Sequence, residues 1–197
     1  MRRIFMALSA VVLLSACRPG ARASCALQDM AIDAATGDPV AQYNLAVEFY
    51  TGKRIARDYA RAAVLWRQSA ARGNTTAKNN LGFLTYQGWG VRADPAAAVR
   101  LWTEAAAGGE SEANYHLGVA AIEGKGMEPD RAEAYARFRA AELMGNAAGD
   151  SVASSIAKNA RAELRELEPI LLSDERRTGE ARARTYASVR QAKHERR

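Results

Sequence analysis

The sequence predicts an all-α fold, an α-solenoid of about three helix-pair repeats closed by a C-terminal capping helix. Three observations carry that reading. Gly37, Gly73, Gly109 and Gly145 stand 36 residues apart, and a period of that size marks a helical-repeat array. Further columns keep the same register: Leu45, Leu81 and Leu117; Gly52, Gly88 and Gly124; Asp58, Asp94 and Asp130; Ala62, Ala98 and Ala134; Trp66, Trp102 and Phe138. Within a period the apolar residues follow helical spacing, as in Ala41, Leu45 and Phe49 at i, i+4 and i+8. Solenoids build binding surfaces and need no buried catalytic pocket.

The first element is a leader, residues 1–16. Arg2 and Arg3 precede the apolar run Ile4 to Leu14, which is too short to span a bilayer and fits a secretory signal. Leu14-Ser15-Ala16-Cys17 follows and resembles the lipobox of bacterial lipoproteins, in which the cysteine becomes the lipidated first residue. The resemblance implies attachment to the envelope through Cys17, at the outer membrane because Arg18 stands where an inner-membrane retention aspartate is common. Several acyl chains make such an anchor stable. Ala21-Arg22-Ala23 offers the alternative of ordinary cleavage and a soluble periplasmic or secreted product. With Cys17 lipidated, Cys25 has no intramolecular partner and is a free thiol or an intermolecular bridge; with Cys17 unmodified, a Cys17–Cys25 loop would tie down only the lead-in. Residues 17–36, with Pro19 and Gly20 at their start, read as a short tether and lead-in.

The repeat array occupies residues 37–148. Asp38-Pro39 reads as an N-cap with proline at the first helical position, and Gly52 ends that helix. Each second helix opens on Asp58, Asp94 or Asp130; Glu133 lies three residues after Asp130, the capping-box spacing. Ala62, Trp66 and Ala70 make one face, and Gly73 terminates it. Residues 149–172 form the cap, with an apolar stripe of Ile156, Ala160, Leu164, Leu167 and Leu171 and a break at Pro169. Ser173 reads as a fresh N-cap for a basic C-terminal helix or tail, residues 173–197, either docked on the cap or fraying.

The body of the repeat resembles the Sel-1-like repeat, a relative of the tetratricopeptide repeat. The residues that carry the resemblance are Asn80-Leu81-Gly82, Gly88-Trp89-Gly90-Val91, Asp94, Ala98, Trp102 and Ala105-Ala106. His116-Leu117-Gly118, Gly124-Lys125-Gly126-Met127, Asp130, Ala134, Phe138 and Ala140-Ala141 repeat them. Two departures stand out. Arg54 replaces the second loop glycine in the first unit, which predicts an altered turn, and Phe49, Thr85 and Ala121 stand where tyrosine is usual. The resemblance implies a right-handed solenoid whose first helices line a groove, and a protein-binding adaptor or scaffold. The columns it places in that partner-binding groove are Tyr43, Val47 and Tyr50; Asn79, Phe83 and Tyr86; Tyr115, Val119 and Ile122. They lie across the helix from the Leu45 and Phe49 stripe, since residues two apart point about 200° apart. Packing against neighbouring helices is the competing role for these columns, and the tyrosines suit both.

Charge narrows the partners. The net charge is +6, and Arg2 and Arg3 leave with the signal. From Asp174 onward eight basic residues face four acids, so the excess sits in the tail and the array is neutral. No nucleic acid is expected; the tail is a solvated face or a contact for anionic lipid or an acidic partner. Catalysis is not expected either. His116 and His194 have no metal-ligand neighbours, so neither a metal nor a cofactor is predicted. Gly88-Trp89-Gly90 and Gly124-Lys125-Gly126 follow helices, not the strand a phosphate loop needs. Glu48, Glu104, Glu110, Glu112 and Glu123 read as solvated carboxylates, and Trp66, Trp102 and Phe138 as core. The function that results is a lipid-anchored envelope adaptor with an unidentified protein partner and an oligomeric state the sequence leaves open. An immunity protein against a periplasm-acting toxin is the alternative, and a cell-wall enzyme a distant second.

Overall fold

The computed structural model describes residues 22–148 and 151–194. Among them nine α-helices follow one another: α1 (Arg22–Thr36), α2 (Pro39–Thr51), α3 (Tyr59–Ala71), α4 (Thr75–Gln87), α5 (Pro95–Ala107), α6 (Ser111–Glu123), α7 (Arg131–Ala148), α8 (Ser151–Leu167) and α9 (Ser173–His194). A 3-10 turn, Glu168–Ile170, separates the last two. The fold class is the expected α-solenoid, with α2–α3, α4–α5 and α6–α7 as its three helix pairs. The leader and Cys17 lie outside the described residues.

The pairs form because the same local chemistry recurs. Asp38, Asp58, Asp94 and Asp130 each accept a hydrogen bond from the backbone N–H three residues on, at 2.6–2.9 Å, satisfying a donor the helix start leaves open. Asn74 does the same for α4. The N–H groups of Asp58, Asp94 and Asp130 reach back to the carbonyls of Phe49, Thr85 and Ala121. That column therefore braces the inter-helix loop through its backbone, and its side chain is free to depart from tyrosine. The capping box at Asp130 does not form: Asp130 N–H is already spent on Ala121, and Glu133 turns to Arg137, Arg182 and Tyr186 instead.

Two further expectations are revised. Residues 22–36 are not a tether but helix α1. Gly37 closes it in the left-handed region, as Gly73 and Gly109 close α3 and α5. Ala26, Met30 and Ala34 stand one period before Ala62, Trp66 and Ala70, so α1 is a second helix without a described first helix. Gly145 breaks the series. It lies inside α7, where a Cβ would meet Ala153 O at 2.5 Å and Ala157 Cβ at 2.9 Å, so its role is close approach to α8 and not termination.

The chain divides into two compact units. The first holds α1–α3, the start of α4 and residues 89–91. Trp66 is 2% exposed at its centre, packed against Tyr50, which also meets Tyr59. Trp89 stacks on Tyr59 at 5.1 Å. Beside it, a Cβ on Gly90 would lie 2.3 Å from the backbone of Tyr59 and Ala60, and Gly90 has φ +69°. Gly126, φ +87°, meets Pro95 in the same way. Arg54 occupies that column in the first repeat, and no non-glycine described residue has positive φ, so its turn is altered as expected. Arg54 pairs with Glu48 at 2.7 Å. Glu48 is itself in the column of Leu84 and Ala120, which are fully buried.

The second unit holds the rest of α4 and α5–α9. Trp102 and Phe138 centre its two apolar clusters, joined by Tyr86, Ala98, Ala105 and Leu117 and by Ala134, Tyr135, Ile156 and Leu164. Both rings lie against glycines: a Cβ on Gly82 would be 2.6 Å from Trp102 Nε1, and one on Gly118 2.6 Å from Phe138 Cε1. The cap helix α8 stops at Leu167, ahead of the turn that carries Pro169. Helix α9 then has Leu172 at its N-cap position, with Ser173 already the first helical residue: Leu172 O accepts from Arg176 N, and the Leu172 N–H is held by Glu175 Oε2 at 2.8 Å.

Helix α9 docks on α7. Gly179 and Ala183, one turn apart, are both buried, and Gly179 lies against Ala132 and Tyr135. Around that small-residue contact Arg182 reaches Asp130 and Glu133, Tyr186 OH donates to Glu133, and Arg137 lies 3.7 Å from the Tyr186 ring centroid. Glu142, 6% exposed, is paired with both Arg139 and Arg161.

Candidate interaction face

In the second unit, α4, α6 and α8 are the helices that carry the predicted partner-binding columns or continue their order. Three hydrogen bonds link them. Asn79 Nδ2 on α4 donates to Glu112 Oε2 on α6 at 2.9 Å. Tyr86 OH donates to Glu123 Oε2 at 2.5 Å. Tyr115 OH on α6 donates to Glu163 Oε1 on α8 at 3.2 Å. In each case a neutral donor on one of these helices holds a carboxylate on the next. The apolar residues lie between these links. Phe83 is half-buried with its ring 5.6 Å from His116, Val119 packs against the Phe138 cluster, and Ile122 is 47% exposed.

His116 organises the aromatic part. Its ring stacks on Trp102 at 4.9 Å and meets Tyr115 edge-on at 5.9 Å. Burial lowers its pKa to about 4, so the imidazole is neutral at pH 7. Glu112 Oε1 lies 3.9 Å from His116 Nε2. Burial foremost, then the Glu110 carboxylate, raises the pKa of Glu112 against the lowering effect of the Asn79 hydrogen bond. Burial, followed by their carboxylate partners, also raises Tyr86 and Tyr115, which keeps both hydroxyls protonated as donors.

The nine predicted residues thus fall into different roles. Asn79, at 1% exposure, and Tyr86, at 5%, are too buried to line an open surface and serve as links between helices. Phe83, Tyr115, Val119 and Ile122 remain partly accessible on one face. Tyr43, Val47 and Tyr50 belong to the other unit and are half-buried there, with Tyr50 committed to the Trp66 core. The expected solvated acids are engaged: Glu48 by Arg54, Glu104 by Lys78, Glu112 by Asn79 and Glu123 by Tyr86. Glu163 was missed because the repeat register is lost after α7. No group of three or more His, Cys, Asp or Glu that could hold a metal ion occurs among the described residues.

A helix-pair repeat protein with an accessible apolar and carboxylate face is the class these features define. Residues 39–74, 75–110 and 111–146 match the Sel1 repeat, and the chain belongs to the Sel1 repeat family, whose members generally act as protein–protein interaction scaffolds. Among solved structures it is similar to a protective antigen of uropathogenic Escherichia coli strains displaying an SLR fold. The two share 24% identity and a TM-score of 0.73 over 93% of this chain and 37% of that one. It is also similar to a Sel1 repeat protein from Oxalobacter formigenes, at 27% identity and TM-score 0.57 over 68% of this chain and 54% of that one. The chain therefore spans about a third to a half of the length of these structures. No curated protein matches it.

Proposed function

We propose that this protein is a lipid-anchored adaptor of the bacterial envelope that captures a protein partner on the first-helix face of α4, α6 and α8. The observation that carries the reading is the exposed and half-exposed set Phe83, Tyr115, Val119 and Ile122, held in place by the three inter-helix hydrogen bonds. Aromatic and aliphatic groups on a rigid helical frame suit a peptide or helix laid across them. The leader and Leu14-Ser15-Ala16-Cys17 support attachment through Cys17, facing the periplasm at the outer membrane.

Crosslinking from intact envelopes tests the adaptor role. A partner captured by wild type and lost in a folded Phe83→Asp, Val119→Asp variant is the expected result; equal capture by both would remove the face from consideration. For the anchor, metabolic labelling with an alkyne fatty acid should mark wild type and not Cys17→Ser. Equal absence of label in both would favour the soluble alternative.

A further inference from the structure

The same face shows an electrostatic asymmetry that narrows the chemistry of its partner. Elsewhere in the second unit, several half-buried and buried acids are neutralised: Asp130 and Glu133 by Arg182, Glu133 also by Arg137, and Glu142 by Arg139 and Arg161. Glu112, Glu123 and Glu163 are different. Each accepts from an uncharged side chain, and no lysine or arginine among the described residues forms a salt bridge to any of them. Lys125 is close by, but its Nζ is placed over the Tyr86 ring, 4.4 Å from the centroid.

A second observation is independent of those carboxylates. Asn79 is 1% exposed, and its Oδ1 is buried without a hydrogen-bond partner. The same carboxamide holds Glu112 through Nδ2. A buried amide oxygen left unpaired costs on the order of 1–3 kcal/mol, a cost borne at the residue that fixes the Glu112 carboxylate on this face. On the same face the rings of Phe83 and Tyr115 lie 5.6 and 5.9 Å from that of neutral His116. Carboxylates held only by neutral donors, together with aromatic faces, describe a receptor for a cationic side chain, which gains both charge-assisted hydrogen bonds and ring contact.

We infer that the first-helix face takes a partner segment in which lysine or arginine residues are interleaved with apolar ones, the cations meeting Glu112, Glu123 and Glu163 and the apolar groups meeting Phe83, Val119 and Ile122. The inference rests on the adaptor reading and specifies its ligand. It also refines the neutral groove expected from overall charge, because neutrality summed over the array conceals carboxylates held by neutral donors on this face and others paired with arginine elsewhere.

A displayed library of random peptides, selected against the purified chain, tests this directly. Enrichment of lysine and arginine next to apolar residues is expected. Binding of a selected peptide should weaken about tenfold or more in a Glu112→Gln, Glu123→Gln, Glu163→Gln variant, as loss of charge-assisted hydrogen bonds implies. Glu104→Gln, which removes an acid already paired with Lys78, should bind as wild type. Replacing the peptide's basic residues by glutamine is the companion measurement and leaves the protein untouched if the triple variant unfolds. Selected peptides without basic enrichment that still depend on Phe83 and Val119 would overturn the inference and leave the adaptor reading standing. Peptides indifferent to Phe83→Asp and Val119→Asp, or no binders at all, would overturn both. Self-association that disappears on removal of residues 189–197 would assign the site to a second copy's basic C-terminus and overturn the assignment to a partner protein.

Discussion

One column of side chains shows how tightly single residues are specified. Ala46, Gly82 and Gly118 are equivalent by the repeat register. At Gly82 the missing Cβ lets Trp102 Nε1 reach Asn79 O at 3.1 Å, in the helix backbone beside it. At Ala46 a methyl is present, and the buried Trp66 Nε1 has no partner. Gly82→Ala should therefore cost about 1–3 kcal/mol through overpacking, with the Trp102 hydrogen bond lost besides. Thermal unfolding would show it; an unchanged midpoint would mean the ring shifts freely. Ala46→Gly is the mirror experiment, where a regained hydrogen bond is offset by roughly 1 kcal/mol of lower helix propensity.

His116 gives a pH prediction at the same scale. Its folded pKa is lowered to about 4 from an ordinary 6.5. The unfolded chain therefore binds the proton more readily, and the stability His116 contributes is present above pH 6.5 and lost as pH falls toward 4. At about 1.4 kcal/mol per pKa unit, the loss is on the order of 3 kcal/mol. Glu112 acts in the opposite sense, since its raised pKa favours the folded state as it protonates. Denaturant titrations across that window should give a shallower slope for His116→Gln than for wild type; parallel slopes would exclude His116 as the origin.

Among the elements, α9 is the one whose docking is most exposed to test. A Cβ on Gly179 would stand 2.7 Å from Tyr135 Cδ1 and 2.9 Å from Ala132 O. Gly179→Leu should lift α9 from α7, raising amide exchange along α9 while α4–α6 keep their protection. Uniform loss of protection would make α9 an integral part of the core. At the other end, the Glu48–Arg54 pair marks where the array's regularity begins. Arg54 holds Glu48 below the usual carboxylate range, its hydrogen bond outweighing the opposing effect of burial. Arg54→Ala should destabilise by leaving a half-buried carboxylate alone, whereas Glu48→Leu, which restores the residue found at position 84, should be neutral or stabilising. Chemical denaturation of the two variants distinguishes these outcomes; equal losses would show that the pair is worth more than apolar packing there.

The same scale shows where sequence patterns were sufficient. Aspartate caps, loop glycines and the Trp66, Trp102 and Phe138 column each depend on residues a few positions apart, so periodicity exposes them. Helix α1 was legible too: Gly37 stands in the register that closes second helices, and Ala26, Met30 and Ala34 extend it backward. The pull of Pro19 and Gly20 toward a tether obscured that signal. Reading α9 was harder, because a crossing built on Gly179 and Ala183 leaves only a weak apolar stripe.

For the whole molecule, the sequence alone determined the repeat length, the all-α class, the number of helix pairs and the residues at their centres. Those properties follow from local hydrogen-bond and burial requirements that recur every 36 residues. Only the tertiary structure decided which carboxylates are neutralised by cations and which are held by uncharged side chains. Asn79–Glu112, Tyr86–Glu123 and Tyr115–Glu163 join residues 33, 37 and 48 apart, separations that wander around the period instead of matching it. Charge pairing is set by which side chains the packed helices bring within a few ångströms, and a linear pattern does not encode that distance.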